Sequence, residues 1–166
     1  MSDQSHSHHT SFGRRKFLLR YIAVTAAMNL IWEVLQLPFY TLWSESTPSA
    51  MGYAVVHCTA GDVLIAALSL TAAVIFAGSK KWPRERFLSV ALLAIAFGVS
   101  YTVFSEWNNT VVTRAWSYSS LMPTILGVGL SPLAQWLILP SFIFLLLKPN
   151  LKSRGTNTEP GCETIS

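Results

Sequence analysis

The sequence FLSVALLAIAFGVSYTVF, at residues 87–104, contains no charged side chain over 18 consecutive positions. In an α-helix, which rises about 1.5 Å per residue, this stretch is roughly 27 Å long, close to the thickness of a bilayer's hydrocarbon core. Three further apolar runs of membrane length occupy residues 17–37, 54–77 and 121–147. The sequence therefore predicts an all-α integral membrane protein built as a four-transmembrane-helix bundle.

The composition of the whole chain supports this class. Of the 166 residues, 51% are hydrophobic and only 12% are charged, whereas soluble domains average about 25% charged residues. Residues 1–13 and 149–166 are polar, and we expect them to be disordered tails on either side of a membrane domain at 14–148. The net charge of +4 does not indicate nucleic-acid binding, because the basic residues sit where membrane topology requires them.

The distribution of basic residues predicts the orientation. All but one of the 12 Lys and Arg residues lie in the two terminal flanks or in the connection between the second and third runs, and the exception is Arg114. By the positive-inside rule, both termini are expected in the cytoplasm and loops 38–53 and 105–120 outside. This pattern suits the inner membrane of a bacterium. Arg14-Arg15 is compatible with a twin-arginine export signal. A basic anchor for the first helix agrees better with the run that follows, which is long and contains several polar residues.

The ionisable side chains of the apolar runs concentrate in their outer half. Counting helical rise from each predicted entry point places Glu33, His57 and Asp62 at similar depth, just beneath the loop that carries Glu106 and Arg114. Charged groups are costly in lipid, so they normally face the bundle interior and have partners. The sequence thus predicts an outward-facing polar pocket, open to the periplasm in a bacterium, with residues 105–120 as its rim.

Acid/base chemistry is the function that this set of residues favours. Glu33, His57 and Asp62 are the predicted catalytic residues, with His57 as base or nucleophile and the two carboxyl groups as acid and orienting group. The predicted substrate-binding residues are Asn29, Gln36, Glu106, Asn109, Arg114 and Tyr118. We expect an enzyme of the isomerase, cyclase or hydrolase type that acts on a membrane lipid or another lipophilic small molecule.

Other interpretations stay open. His57, Glu33, Asp62 and Glu106 offer ligands for a divalent ion, but no HExxH, paired-histidine or Glu-x-x-His pattern is present, and no cofactor is indicated. A proton- or ion-coupled transporter acting as an oligomer is the second interpretation. Residues 65–76 and 87–99 speak against it, because they make the cytoplasmic half nearly pure hydrocarbon. The third is an accessory subunit of a larger membrane complex, in which the polar residues only join helices.

Overall fold

A computed structural model describes residues 4–78 and 81–148 of the protein, with side chains from residue 13 onward. Five α-helices make up most of this part of the chain: α1 (Gln4–Gln36), α2 (Leu42–Glu45), α3 (Pro48–Phe76), α4 (Phe87–Trp107) and α5 (Leu130–Leu147). A 3₁₀ turn at Leu37–Phe39 follows α1, and a π-helical turn at Asn108–Val112 follows α4. A hairpin of β1 (Thr124–Ile125) and β2 (Val128–Gly129) precedes α5.

Four helical segments are long and apolar enough to cross a membrane: Gly13–Phe39, Pro48–Phe76, Phe87–Val112 and Leu130–Leu147. They correspond to the four predicted runs, so the prediction of four membrane-length helices is confirmed by length and composition. The observed secondary structure is also overwhelmingly helical, as the predicted fold class requires.

Two of these helices start at other residues than the sequence predicted. α3 begins at Pro48 instead of residue 54, because the Thr47 hydroxyl accepts a hydrogen bond from Ala50 N at 3.3 Å. Proline suits the first helical turn, where no backbone donor is required. α1 runs back to Gln4 through part of the predicted tail 1–13, which contains no proline to stop it. The predicted tail 149–166 lies outside the described residues.

The predicted fourth helix is corrected at its start from residue 121 to Leu130. Residues 124–129 form the hairpin instead, with Thr124 opposite Gly129 and Ile125 opposite Val128. Its two central residues, Leu126 and Gly127, have φ angles of 52° and 82°. Positive φ at both central residues is the backbone of a type I′ turn, which joins two strands tightly and is incompatible with a continuing helix.

The four long helices form a ring in which α1 and α4 each pack against both α3 and α5. At one end of this bundle an aromatic cluster fills the core: the Phe17 ring lies 4.8 Å from Trp82 and 6.2 Å from Phe87. Phe144 lies 5.9 Å from Phe87 and 5.6 Å from Tyr21. We call this the basic end, because Arg14, Arg84, Arg86 and Lys148 are also found there.

The opposite end, which carries Glu33, Asp62 and Glu106, is called the carboxylate end. Here the connection after α1 pairs with the connection before α5: Thr41 N donates to Ser117 O at 3.0 Å, and Ser119 N donates to Phe39 O at 2.9 Å. The Ser119 hydroxyl adds a bond to Pro38 O at 2.8 Å. These bonds hold the two connections together over the end of the bundle.

Close contact between α4 and α5 depends on a glycine. A Cβ atom added at Gly98 would lie 2.2 Å from Cε3 of the Trp136 ring. Only a residue without a side chain allows the indole to lie against the α4 backbone at this point. Trp136 directly follows Gln135, so this contact also fixes the height at which Gln135 enters the bundle.

Candidate functional site: a buried carboxyl–amide network

One face of α1 supplies a row of buried polar side chains. Thr25, Asn29 and Glu33 follow one another at intervals of four residues, which places them on the same side of a helix, and their exposed fractions are 2%, 6% and 8%. Tyr21 lies one turn before the row and Gln36 one turn after it, and both are also buried. This face of α1 is therefore polar from Tyr21 to Gln36, and it points into the bundle.

Gln135 of α5 connects this row to α3. Its side-chain Nε2 lies 2.8 Å from Asn29 Oδ1, 3.2 Å from Glu33 Oε1 and 2.9 Å from Asp62 Oδ2. A primary amide has only two hydrogens to donate, so at least one of them is shared between acceptors. One side chain thus holds together an amide and two carboxyl groups from two other helices.

The remaining donors at this level are also engaged. Gln36 Nε2 donates to Glu33 Oε1 at 2.8 Å, and the Ser131 hydroxyl donates to Gln36 Oε1 at 2.8 Å. Asn29 Nδ2 donates to the backbone oxygen of Thr25 at 2.8 Å. The network therefore spans α1, α3 and α5 with few unused hydrogen-bonding groups, as buried polar side chains require.

Glu33 and Asp62 form a carboxyl pair at the centre of the network. Both accept from the Gln135 amide nitrogen, Glu33 Oε1 at 3.2 Å and Asp62 Oδ2 at 2.9 Å, so the two carboxyl groups lie close together. Two ionised carboxylates in such close contact repel strongly, and carboxyl pairs of this kind in other proteins share a proton. The pair can therefore hold one proton between its two carboxyl groups.

A third carboxyl group, that of Glu106, lies nearer the connecting segments. Glu106 is 7% exposed and its Oε2 accepts a hydrogen bond from the Tyr118 hydroxyl at 2.5 Å. The same hydroxyl oxygen accepts from Gly129 N at 2.9 Å, which ties the pair to the start of α5. The Trp116 indole lies near Glu106 but outside hydrogen-bonding geometry. Glu106 is close enough to Glu33 for their charges to interact.

Two tyrosines lie over the Glu106 carboxyl group. The rings of Tyr40 and Tyr118 are 5.7 Å apart, and the two residues form a β-bridge between the connecting segments. Burial raises the pKa of the Tyr40 phenol well above its ordinary value, and the nearby Glu106 carboxyl raises it further. Burial also raises the pKa of Tyr118, and the hydrogen bond from Tyr118 to Glu106 raises that pKa further. Both phenols are therefore protonated donors at any physiological pH.

Towards the basic end the polar row continues into a small cavity of about 10 Å³ lined by Asn29, Thr25 and Tyr21. That volume is at the lower limit for one water molecule. Within the described part of the chain the Thr25 hydroxyl has no hydrogen-bond partner, and the Tyr21 hydroxyl makes only a long bond of 3.5 Å to Ala66 O. The half of the bundle that the sequence suggested to be nearly pure hydrocarbon thus contains buried polar groups on α1.

Three of the predicted site residues lie outside both the Gln135 network and the Glu106–Tyr118 pair. His57 is exposed and stacks on Tyr53 at a ring distance of 5.7 Å; it is five residues before Asp62, a rotation of about 140° around the helix. Arg114 is exposed, has a φ of 52°, and makes no ion pair with Glu106 in the described structure. Asn109 donates back to Ser105 O at 2.8 Å within its own helical turn.

The weak alternative of a metal site is not supported by this geometry. Among the described residues, no three His, Cys, Asp or Glu side chains are grouped as a metal ion would require. Glu33 and Asp62 do meet, but His57 points away from them, and Glu106 is bonded to Tyr118. The predicted set of His57, Glu33, Asp62 and Glu106 is thus corrected to a carboxyl pair with a separate third carboxyl group.

Gln135 and Ser131 connect α5 to the site, although they are not among the predicted site residues. Their spacing of four residues on an otherwise apolar helix was the available signal. Tyr40, Thr25 and Tyr21 were also not assigned. Thr25 and Tyr21 continue the spacing of Asn29 and Glu33 backwards by four residues at a time, so the same pattern could have revealed them.

Comparisons of this chain with protein-family models, with curated proteins and with solved structures find no match.

Proposed function

We propose that the protein is a proton-coupled membrane carrier in which the Glu33–Asp62 pair is the protonation site. The observation that carries this proposal is the continuous polar row on α1, from Gln36 through Glu33, Asn29 and Thr25 to Tyr21. A proton relay needs side chains that donate and accept hydrogen bonds at successive depths, and intramembrane carboxyl groups are typical coupling sites in transporters.

The placement of this row in a membrane is part of the proposal. The basic end faces the cytoplasm by the positive-inside rule, and the carboxylate end faces the other side, the periplasm if the host is a bacterium with an inner membrane. Glu33 and Asp62 then lie nearer the outer surface, and Tyr21 lies nearer the cytoplasm. In this arrangement the row spans most of the bilayer's depth.

Gln135 gives the pair a means of coupling. When the pair loses or gains a proton, the hydrogen bonds from Gln135 to Asn29, Glu33 and Asp62 change in relative strength. The reason is that an ionised carboxylate accepts more strongly than a neutral carboxyl group. Gln135 belongs to α5, and its helix is packed against Gly98 of α4. Protonation would therefore alter the contacts that α5 makes with α1 and with α3.

The test is proton flux in proteoliposomes with an interior pH dye. After an imposed pH difference, the native protein should dissipate the gradient faster than empty vesicles. Glu33→Gln and Asp62→Asn should each lower this rate at least about tenfold, because each replaces a titratable carboxyl group with an amide of similar shape that does not titrate. Glu45→Gln is the matched control, since Glu45 is an exposed carboxylate in α2.

Equal rates in all three variants would refute the assignment of the pair. A native rate equal to that of empty vesicles, with and without a panel of added substrates, would refute the carrier itself.

An acid/base enzyme acting on a lipid-like substrate is the second candidate. The 2.5 Å hydrogen bond between Tyr118 and Glu106, next to Tyr40, favours it, because a carboxyl–phenol pair at a bundle end can donate and accept protons. Turnover of an added lipid by the purified protein, lost in Glu106→Gln, would favour the enzyme over the carrier. Co-purification with a larger complex in the absence of both activities would favour the accessory subunit.

A further inference from the structure

A cavity of about 190 Å³ opens at the basic end between α1 and α3. Its walls are mostly apolar and include Leu18, Ile22, Leu70, Val74 and Ile75. Leu18 and Ile75 are themselves exposed on the outer surface of the bundle, so the cavity opens sideways, where a membrane's lipids would be. Its volume is about six times the 30 Å³ that one water occupies in the liquid, yet apolar cavities do not hold water well.

Two residues with side-chain N–H donors, Arg14 and Trp82, are among those that line this cavity. Arg14 lines it and makes no ion pair with any described residue. Trp82 also lines it and is only 3% exposed, and its indole N–H is buried without a hydrogen-bond partner in the described structure. The indole nitrogen has almost no accessible surface, so a ligand in the cavity does not reach it. Arg14 is therefore the N–H donor that the cavity offers to a ligand.

We propose that this cavity binds one anionic phospholipid, with its phosphate at Arg14 and the upper part of an acyl chain along the apolar wall. The guanidinium group recognises phosphate oxygens through paired N–H donors. The apolar wall explains why a lipid suits the cavity and a free anion does not. The site lies at the other end of the bundle from the Glu33–Asp62 pair and does not depend on proton transfer there.

Native mass spectrometry of the detergent-solubilised protein tests this proposal. The protein is incubated with equal amounts of phosphatidylglycerol and phosphatidylcholine that carry identical chains, and the retained lipid is counted. We expect one phosphatidylglycerol to be retained in at least about tenfold preference. Equal retention of the two lipids would overturn the proposal.

Variants locate the binding. Arg14→Gln should lower the retention of phosphatidylglycerol several-fold, because it removes the charged donor at the cavity. Arg15→Gln, which removes the same charge from the next residue, should leave retention unchanged, because Arg15 does not line the cavity. An equal loss in Arg14→Gln and Arg15→Gln would mean unspecific attraction to a basic surface and would overturn the site.

Two further arms address the occupant and the fold. Ala67→Phe places a ring in the cavity wall and should exclude the acyl chain without altering any charge; undiminished retention in this variant would contradict the proposal. Glycerol phosphate added in place of lipid should bind at least about tenfold more weakly than phosphatidylglycerol, and equal binding would assign the site to a free anion. Helical circular dichroism identifies variants that are folded and can be compared.

Discussion

The side-chain amide of Gln135 lies 2.9 Å from Asp62 Oδ2, and through this bond α5 is joined to α3 across the interior of the bundle. The same amide nitrogen reaches Asn29 and Glu33 on α1. A neutral donor thus stands at the meeting point of three helices and two carboxyl groups. The stability of this region and its proposed function both depend on that one side chain.

Gln135→Leu should therefore destabilise the protein. Leucine has a similar length but no donor, so the carboxyl pair and the Asn29 carbonyl lose a shared partner, at a cost of about 1–3 kcal/mol for each group left unsatisfied. Thermal unfolding in detergent measures the change. Ser141→Ala serves as the control, because the Ser141 hydroxyl bonds only to Leu137 O of its own helix. A melting temperature equal to that of the native protein would contradict the importance of the amide.

Gly98→Ala tests the contact between α4 and α5. The added Cβ would overlap the Trp136 ring, and overpacking of a well-packed interior costs about 1–3 kcal/mol. Gly52→Ala is the matched control, because Gly52 lies inside α3 with nothing within 4 Å of the added atom. Alanine should there stabilise the helix by about 0.5–1 kcal/mol. Opposite shifts of the melting temperature in the two variants are the expected result, and two equal shifts would refute it.

Tyr118→Phe removes the hydroxyl that donates to Glu106 and accepts from Gly129 N. Glu106 then stays buried without this donor, and a loss of about 1–3 kcal/mol is expected. Chemical denaturation in mixed micelles measures it. The exposed Tyr53 is the comparison, since Tyr53→Phe should change the free energy of unfolding by no more than about 0.5 kcal/mol. Equal effects of the two substitutions would show that the Glu106–Tyr118 bond contributes nothing.

Alkaline pH should destabilise the carboxylate end through Tyr40. The pKa of Tyr40 is raised in the folded protein above the ordinary value of 10.0, so the folded state favours the neutral phenol more than the unfolded state does. The stabilisation is fully present below pH 10 and is lost as the pH rises above it. Melting temperatures from about pH 8 to 11 should fall less steeply in Tyr40→Phe than in the native protein. Identical slopes would argue against a buried neutral phenol.

His57→Gln should leave proton flux within about twofold of the native rate. The His57 ring is exposed and stacks on Tyr53, away from the Glu33–Asp62 pair. Asp62→Asn, on the same helix five residues later, should lower flux at least about tenfold. The proteoliposome assay described for the carrier compares the two directly. A loss of flux in His57→Gln similar to that in Asp62→Asn would restore His57 to the site.

The amino-acid sequence by itself determined the class of the fold. Runs such as residues 87–104 have no charged side chain, and in lipid only a helix satisfies all of its backbone groups, so four membrane-length helices follow from composition and length. Helical periodicity places Asn29, Glu33 and Gln36 on one face of α1 and rotates His57 away from Asp62 by about 140°.

Only the tertiary structure decided which polar groups meet. Depth along a helix can be counted from the sequence, but the rotation of each helix about its axis depends on packing, such as the contact of Trp136 with Gly98. That packing brings Gln135 between Glu33 and Asp62. It also makes Tyr118, and not Arg114, the hydrogen-bond donor to Glu106. Residues 105–120, which the sequence suggested to be the charged rim of a pocket, instead supply Glu106 and Tyr118 to the interior and leave Arg114 exposed. Burying a carboxyl group requires a donor at hydrogen-bonding distance, and distances between helices are set by the fold.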